Sequence, residues 1–203
     1  MIAVVETPFG NLRSVANAFA SIGHEAVITS EPARLAEASH IVLPGVGAFN
    51  EGAEHLRAKG LGETLRREVL EKKKPFLGIC LGMQLLGSQG HEGGVSKGLT
   101  WIRGEVVRMS DAGCGLRLPH VGWNEVTVAA GSRLFEGVSR EPHFYFVHSY
   151  CFVAEDPAAV SGRCLYGNEF AAAVESGNVF GVQFHPEKSQ NDGLRILRNF
   201  ANL

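Results

Sequence analysis

Apolar residues in the first half of the chain come in short runs, and each run is followed by a stretch whose apolar positions recur at helical spacing. Ile2 to Val5 is the first run and Ala26-Val27-Ile28-Thr29 the second. His40-Ile41-Val42-Leu43 is the third, and a fourth lies inside Lys74-Pro75-Phe76-Leu77-Gly78-Ile79-Cys80. Short unbroken runs bounded by turn residues read as strands buried on both faces. Between them, Asn11 stands at the start of a helix running through Val15, Phe19 and Ile22 to a stop at Gly23. A short helical piece centres on Leu35, and Asn50 to Lys73 is helical in pattern with a break near Gly60. Alternation of strand and helix predicts parallel pairing, which puts the loops that carry chemistry at the carboxyl ends of the strands.

Gly87 to Gly98 is polar and glycine-rich and reads as a loop, and from Trp101 onward the texture changes. Glu105 to Met109, Asn124 to Ala129, His143 to Val153, Ala171 to Glu175 and Val179 to His185 are β-branched, aromatic or apolar, and partly alternating. They read as a second set of strands, mostly antiparallel, continuing the core sheet or packing at its edge. Ser189 to Leu203 closes the chain as an amphipathic helix with Leu194, Ile196, Leu197 and Phe200 as its apolar set. The expected fold is α/β, a three-layer open, mostly parallel sheet flanked by helices, with extra antiparallel strands in the C-terminal half. No linker, repeat or low-complexity segment divides residues 1–203, so a single domain is expected.

Composition narrows the function classes mainly by exclusion. A formal net charge of −2 gives no pull toward nucleic acid or an anionic membrane. No apolar run is long enough to span a bilayer, and Met1-Ile2-Ala3-Val4-Val5 is too short and uncharged for a signal peptide. Cys80, Cys114, Cys151 and Cys164 show no paired CxxC spacing, so a reducing cytoplasm is expected rather than a disulfide framework. His91-Glu92 lacks the HExxH spacing of a metal site, and neither metal nor cofactor is expected.

The strongest chemical signal is Gly78-Ile79-Cys80-Leu81-Gly82, the small-x-nucleophile-x-small spacing of a nucleophile elbow, with Cys in the place of Ser. A strand turning sharply into a helix holds the nucleophile in a strained conformation, and bulky residues two before and two after would collide. The turn aims the sulfur over the positive end of the helix, which favours thiolate in a group whose free pKa is about 8.5. The plainer reading of Cys80 is a small buried hydrophobe; the flanking glycines and the strand-to-helix context favour the nucleophile. The third strand ends in Pro44-Gly45-Val46-Gly47, where closely spaced glycines let the backbone approach a ligand. Beside an elbow, this loop is placed to supply an oxyanion-hole amide, with the amide of Leu81 as the second. One such donor is worth about 3 kcal/mol. Val46, between two glycines, is free to rotate its peptide, so the hole is expected not to be preformed.

A cysteine nucleophile needs a base. His24, His40 and His55 read as surface residues. His185, at the end of the last strand and before Pro186, is held in extended geometry. In an extended segment Glu187, two residues on, points the same way, so its carboxylate can orient the imidazole and stabilise its charged form. Taken alone, His-Pro-Glu reads more plainly as a histidine near a solvated glutamate. With the elbow, the triad Cys80–His185–Glu187 is the better account.

Pro-Gly-Val-Gly, Gly-Ile-Cys-Leu-Gly-Met-Gln and His-Pro-Glu, in this order, resemble the class I (triad-type) glutamine amidotransferases. Gly10-Asn11-Leu12-Arg13-Ser14-Val15, Pro119-His120-Val121-Gly122-Trp123-Asn124, Phe144-Tyr145-Phe146-Val147-His148-Ser149-Tyr150 and Gln183-Phe184-His185-Pro186-Glu187-Lys188-Ser189 are similar, more narrowly, to the glutaminase subunits of imidazole glycerol phosphate synthase in histidine biosynthesis. The resemblance covers the chain nearly end to end. It implies that Cys80 attacks the side-chain amide of glutamine, that His185 moves the proton, and that Val46, Gly47 and Leu81 hold the oxyanion. It places Gly45, Gln84, Glu92, Ser149 and Tyr150 at the glutamine substrate. It also implies delivery of ammonia to a separate cyclase subunit, a (β/α)8 barrel, in a heterodimer whose products are imidazole glycerol phosphate and an aminoimidazole carboxamide ribonucleotide. Asn11, Trp123, Tyr145 and Lys188 match the family's interface positions, and Lys188 can pair with an acid of the partner. The chain departs from a common family opening, Asp-Tyr-Gly-x-Gly-Asn, with Glu6-Thr7-Pro8-Phe9-Gly10-Asn11.

Two other readings stand beside this one. The chain can serve another synthase, for pyridoxal phosphate or a purine precursor, although Pro-His-x-Gly-Trp-Asn and the length without a fused synthase speak against it. It can also be a non-catalytic scaffold that binds and regulates a cyclase, which the intact triad argues against. Hydrolysis of peptides or esters, from the elbow alone, is more distant.

Overall fold

The computed structural model describes residues 1–8 and 10–203. Phe9, in the expected break after the first strand, lies outside the described residues. The first half follows the predicted alternation: β1 (Ile2–Val5), α1 (Leu12–Ser21), β2 (Ala26–Thr29), α2 (Pro32–Glu37), β3 (His40–Gly45), α3 (Phe49–Ala58), α4 (Leu61–Arg66), β4 (Phe76–Cys80) and α5 (Leu81–Gln84). Gly60, in the left-handed region at φ +65°, makes the break between α3 and α4. A π-helical turn, Arg67–Glu71, follows α4. Asn11 precedes α1 as expected, but its side chain makes no capping bond.

β3 runs two residues past the expected Leu43, through Pro44 and Gly45. A proline is tolerated here because the pairing of β1 with β3 stops at Val4 and Val42, so the missing N–H falls beyond a neighbour that has ended.

The second half holds β5 (Gln89–Gly90), β6 (Ser96–Lys97), β7 (Gly104–Arg108), β8 (His120–Glu125), β9 (Thr127–Val128), β10 (His143–His148), β11 (Tyr150–Ala154), β12 (Val160–Tyr166), β13 (Asn168–Ser176), β14 (Val179–Val182) and α6 (Gln190–Ala201). Several expectations need correction. The glycine-rich loop from Gly87 carries β5 and β6, each too short to show a period. The run from His143 is two strands, divided at Ser149, that join different sheets. The strand expected at Asn124 begins earlier, at His120. β12 was not anticipated, because its register shifts between Val160 and Arg163 break the alternation. The last strand ends at Val182 rather than at His185.

The main sheet has the order β2-β1-β3-β4-β14-β13-β12-β9. β2, β1, β3, β4 and β14 pair in parallel, and β13, β12 and β9 continue the sheet antiparallel. Helices cover both faces. Val15 and Phe19 of α1 and Ile196, Leu197 and Phe200 of α6 pack with Val4, Val42, Ile79 and Phe180 on one side. Leu35, Phe49, Leu56, Leu61 and Leu65 pack with Ala3, Val5, Ile41, Leu43 and Phe76 on the other. This is the expected three-layer arrangement, and removal of this apolar surface from water drives it.

The register decides where chemistry can sit. Gly45 pairs with Cys80 across β3 and β4, and Val182 pairs with Ile79 across β14 and β4. Three strand ends therefore open side by side at one edge. The elbow glycines let the chain turn there. A Cβ on Gly78 would run into the backbone of Gly82, and a Cβ on Gly82 would run into the Leu43 carbonyl of β3. The collision at Gly82 is thus with the neighbouring strand rather than with Gly78. Gly82→Ala is expected to destabilise the chain by about 3 kcal/mol or more, since backbone rather than a flexible side chain must give way. Urea unfolding monitored by circular dichroism measures this; a midpoint equal to wild type would contradict it.

Candidate active site

Cys80 ends β4 with φ +53° and ψ −107°, a conformation that costs a non-glycine residue about 1–3 kcal/mol. It is the strained elbow expected from the sequence. α5 begins immediately at Leu81, whose N–H, in the first turn, has no intrahelical acceptor. The nucleophile is only 6% exposed. Its sulfur receives a hydrogen bond from Gln183 Nε2 at 3.5 Å.

His185 lies beyond the end of β14 and opens a 3-10 turn, Pro186–Lys188. Its Nδ1 is 2.9 Å from Glu187 Oε1, and the two side chains are 4% and 2% exposed. The expected pair therefore forms, but through a tight turn rather than an extended segment. A carboxylate only accepts, so Nδ1 carries the proton and Nε2 is the atom left for the thiol. Nε2 has no aligned hydrogen-bond partner among the described residues. Burial by itself would lower the imidazole, but hydrogen bonding and charge from Cys80 and from Glu187 outweigh it and raise His185 to about 9. At neutral pH the imidazole is then charged, a state that stabilises a neighbouring thiolate.

The main chain of His185 is fixed on both sides. Its N–H donates to the Tyr145 carbonyl at 2.9 Å. Its carbonyl accepts from Ser189 Oγ at 2.6 Å, and the same Oγ accepts from the Tyr145 N–H at 3.0 Å. Ser189 and Gln183 were both missed as site residues, although each lies in the quoted stretch around His185. Gln183 precedes His185 by two positions, the same spacing by which Glu187 follows it.

The other candidates fall into three groups. Gly45 lies beside Cys80 in the sheet, and Val46, 40% exposed, and Gly47, at φ +111°, follow it in the chain. Gln84 is buried and occupied: its Nε2 donates to the Tyr150 carbonyl at 3.1 Å and to Gln183 Oε1 at 3.0 Å. Ser149 and Tyr150 sit half-buried where β10 passes into β11. Glu92 accepts the Phe49 N–H at 2.9 Å, so its carboxylate ties the loop carrying β5 and β6 to the first turn of α3. Trp123 and Tyr145 are direct cross-strand partners in the ladder of β8 and β10, with ring centroids 6.2 Å apart. Trp123 is 47% exposed, which rules out a place in the core. Lys188 Nζ lies 5.6 Å from the centre of the Tyr145 ring. Asn11 is exposed at the start of α1.

Of the histidines expected at the surface, His24, His40 and His55 are all half-buried, and His40 packs edge-on to Phe200 at 5.3 Å. His91 pairs with Glu105 at 2.9 Å. No cluster of metal-ligating side chains occurs among the described residues, and no helix among them is long and apolar enough to cross a membrane.

Comparison with known proteins agrees with this geometry. Residues 8–203 match the family model for class I glutamine amidotransferases. The chain is 46% identical, over the whole of both chains, to imidazole glycerol phosphate synthase subunit HisH 1 of Campylobacter jejuni. It is 45% identical to the HisH subunit of Syntrophotalea carbinolica, again over the full length of both. Among solved structures, a glutamine amidotransferase superposes with a TM-score of 0.77 at 21% identity, covering 100% of this chain and 98% of that one. PurLQS from Thermotoga maritima gives 0.77 at 23% identity, with coverage of 99% and 97%. At these identities the likeness is one of fold.

The triad geometry sets a pH response. The proton on His185 is retained until the pH passes about 9, so turnover is expected to fall on an alkaline limb near that value. Glu187 holds the proton on, so Glu187→Gln should move the limb to lower pH and reduce kcat by roughly 10²-fold or more. Rates of glutamate release between neutral and alkaline pH test both. An alkaline limb unmoved by the substitution would mean that the carboxylate does not act on the imidazole.

Proposed function

The chain belongs to the class I glutamine amidotransferases, in the family of imidazole glycerol phosphate synthase HisH subunits, and from that premise we propose how its residues carry out the glutaminase reaction. The observation that carries this reading is Cys80 on its strained turn, with the buried His185–Glu187 pair at the same sheet edge. Glutamine enters with its side-chain amide over Cys80. The thiolate attacks the amide carbon, and the developing oxyanion is met by the amides of Leu81 and of the Val46–Gly47 stretch. His185 gives its proton to the departing nitrogen, and ammonia leaves a glutamyl thioester. Water, deprotonated by His185, then attacks the thioester and releases glutamate and the free thiol. Glu187 keeps His185 in the required tautomer throughout. Gly45, Gln84, Glu92, Ser149 and Tyr150 hold the substrate. No cofactor or metal takes part in this scheme. The Val46 peptide turns into the oxyanion site only when the site is engaged.

Residues 1–203 act as one amidotransferase domain in the cytoplasm. The ammonia passes to a cyclase subunit with a (β/α)8 barrel, which completes imidazole glycerol phosphate and the aminoimidazole carboxamide ribonucleotide. The docking face includes Trp123, Tyr145, Lys188 and Asn11. Three of these residues cluster, and an exposed aromatic pair beside a lysine suits a protein interface. A tight joint is required because ammonia that escapes to water is protonated and lost.

Glutamate release from glutamine by the purified chain, alone and then with a cyclase subunit and its nucleotide ligand, tests the proposal. Low activity alone and a large rise in the complex are expected. High activity that ignores the partner would leave the triad standing and remove the gating. Cys80→Ala should abolish release in both states; unchanged ammonia transfer would overturn the catalytic assignment. The wild-type chain should restore growth of a histidine auxotroph lacking its amidotransferase subunit, and failure there with intact glutaminase activity would redirect the chain to another synthase.

A further inference from the structure

Apart from the triad, a pair of imidazoles forms a buried polar cluster beside the site. His120 opens β8 and His148 closes β10, and the two are register partners in that ladder. Both are buried in aromatic surroundings. His120 is stacked between Phe146 and Tyr166, with centroids at 4.9 and 4.0 Å and ring planes within 22° and 23°. His148 packs on Phe170 at 5.0 Å. Burial pushes His120 down to about 4, and burial, against the Tyr150 carbonyl, takes His148 to about 3. Both rings are therefore neutral, with one donor and one acceptor each.

The hydrogen bonds then fix every proton. The Tyr150 carbonyl only accepts, so His148 Nδ1, 2.8 Å away, is the donor. His148 Nε2 is left as an acceptor, and His120 Nδ1 donates to it at 3.1 Å. His120 Nε2 becomes an acceptor in turn, with Asn124 Nδ2 at 3.4 Å. At the inner end, the Tyr150 carbonyl also accepts from Gln84, Gln84 donates to Gln183, and Gln183 donates to the Cys80 sulfur. A line of directed bonds runs without a gap from Asn124, next to exposed Trp123, to the nucleophile. An apolar pair of the same shape would fill this space with less desolvation. What the imidazoles add is direction, at the point where Ser149 links two sheets.

We propose that His120 and His148 are positioning residues for the glutamine site: a neutral pair with a single orientation that pins the Tyr150–Cys151 peptide by its carbonyl and, through that carbonyl, sets Gln84 and Gln183 behind Cys80. The proposal rests on the glutaminase reading and adds two residues to it that touch neither substrate nor nucleophile.

Two substitutions at one position separate positioning from packing. His120→Phe keeps the stack between Phe146 and Tyr166 but removes the donor to His148. His120→Asn loses the stack but can place an amide N–H where Nδ1 stood. In the complex with the cyclase subunit, His120→Phe is expected to lower kcat/KM for glutamine about tenfold, mainly through KM, the loss of one buried hydrogen bond. His120→Asn should recover most of it, although it is the less stable protein in thermal unfolding. The rank orders of KM and of stability are thus opposed. A purely structural role would make them agree, and that result would overturn the proposal. Long-range 1H–15N spectra of the wild-type chain at neutral pH provide a check that needs no variant. Protons on Nδ1 of both rings support the relay, and a proton on Nε2 of either ring, or a charged ring, refutes it. If the wild-type complex releases no glutamate, the glutaminase reading fails and takes this role with it. If wild type is active and His120→Phe is kinetically unchanged, only the positioning role falls.

Discussion

The site depends on a single backbone conformation, that of Cys80 at φ +53°. A residue with a side chain occupies this region only if its surroundings over-determine it. Here the determination comes from both directions. β4 is held by parallel pairing with β14 up to Ile79 and with β3 up to Cys80 itself, and α5 is pressed so close to β3 that Gly82 has no room for a Cβ. The strain is therefore carried by the whole central sheet and not by the turn alone. The same register brings the Gly45–Val46–Gly47 segment and the His185 turn to the nucleophile, so one constraint places three loops.

Burial is the second condition, and it makes the polar contacts strict. A buried charge must be paired, and a buried donor or acceptor must be satisfied. The His185–Glu187 pair meets this requirement between Nδ1 and Oε1, through a 3-10 turn whose start is fixed by Tyr145 and Ser189, while His185 Nε2 and Glu187 Oε2 have no hydrogen-bond partner among the described residues. Gln84 and Gln183 meet it by bonding to one another and to the Tyr150 carbonyl. The consequence is a buried site whose glutamines are already bonded and whose His185 Nε2 is left open. Glutamine can enter only by exchanging some of these internal bonds for its own.

Periodicity was enough to read the parallel half of the fold, because β1, β3 and β4 are apolar runs buried on both faces, β2 is an apolar run that the sheet edge leaves half-buried, and the helices between them carry one apolar stripe. It failed where local pattern and tertiary role part company. β5 and β6 have two residues each, β12 is interrupted by shifts of register, and the run from His143 looks continuous although Ser149 divides it between two sheets. At the site, the elbow and His-Pro-Glu are local signals, since their spacing is itself the geometry. Gln183, Ser189, His120 and His148 carry no such spacing. Gln183 reaches Cys80 across 103 positions, and His120 reaches His148 across 28. Strand order brings Gln183 to Cys80 and His120 to His148.

That strand order also joins the exposed aromatic ladder to the catalytic base. Tyr145 presents its ring to Trp123 and Lys188 on the open side, while its main chain bonds to His185 and to Ser189, which in turn holds the His185 carbonyl. A load on the Trp123–Tyr145 pair therefore reaches the histidine through one direct backbone contact and through the Ser189 hydroxyl that bridges the two main chains. Through His120 and His148 the same ladder reaches the other side of Cys80. Close-packed elements move as units and do not deform smoothly, so a shift of β10 against β14 would move the His185 turn and the Tyr150 carbonyl together. A single shared strand is thus the shortest physical route between the His185 turn and the Tyr150 carbonyl.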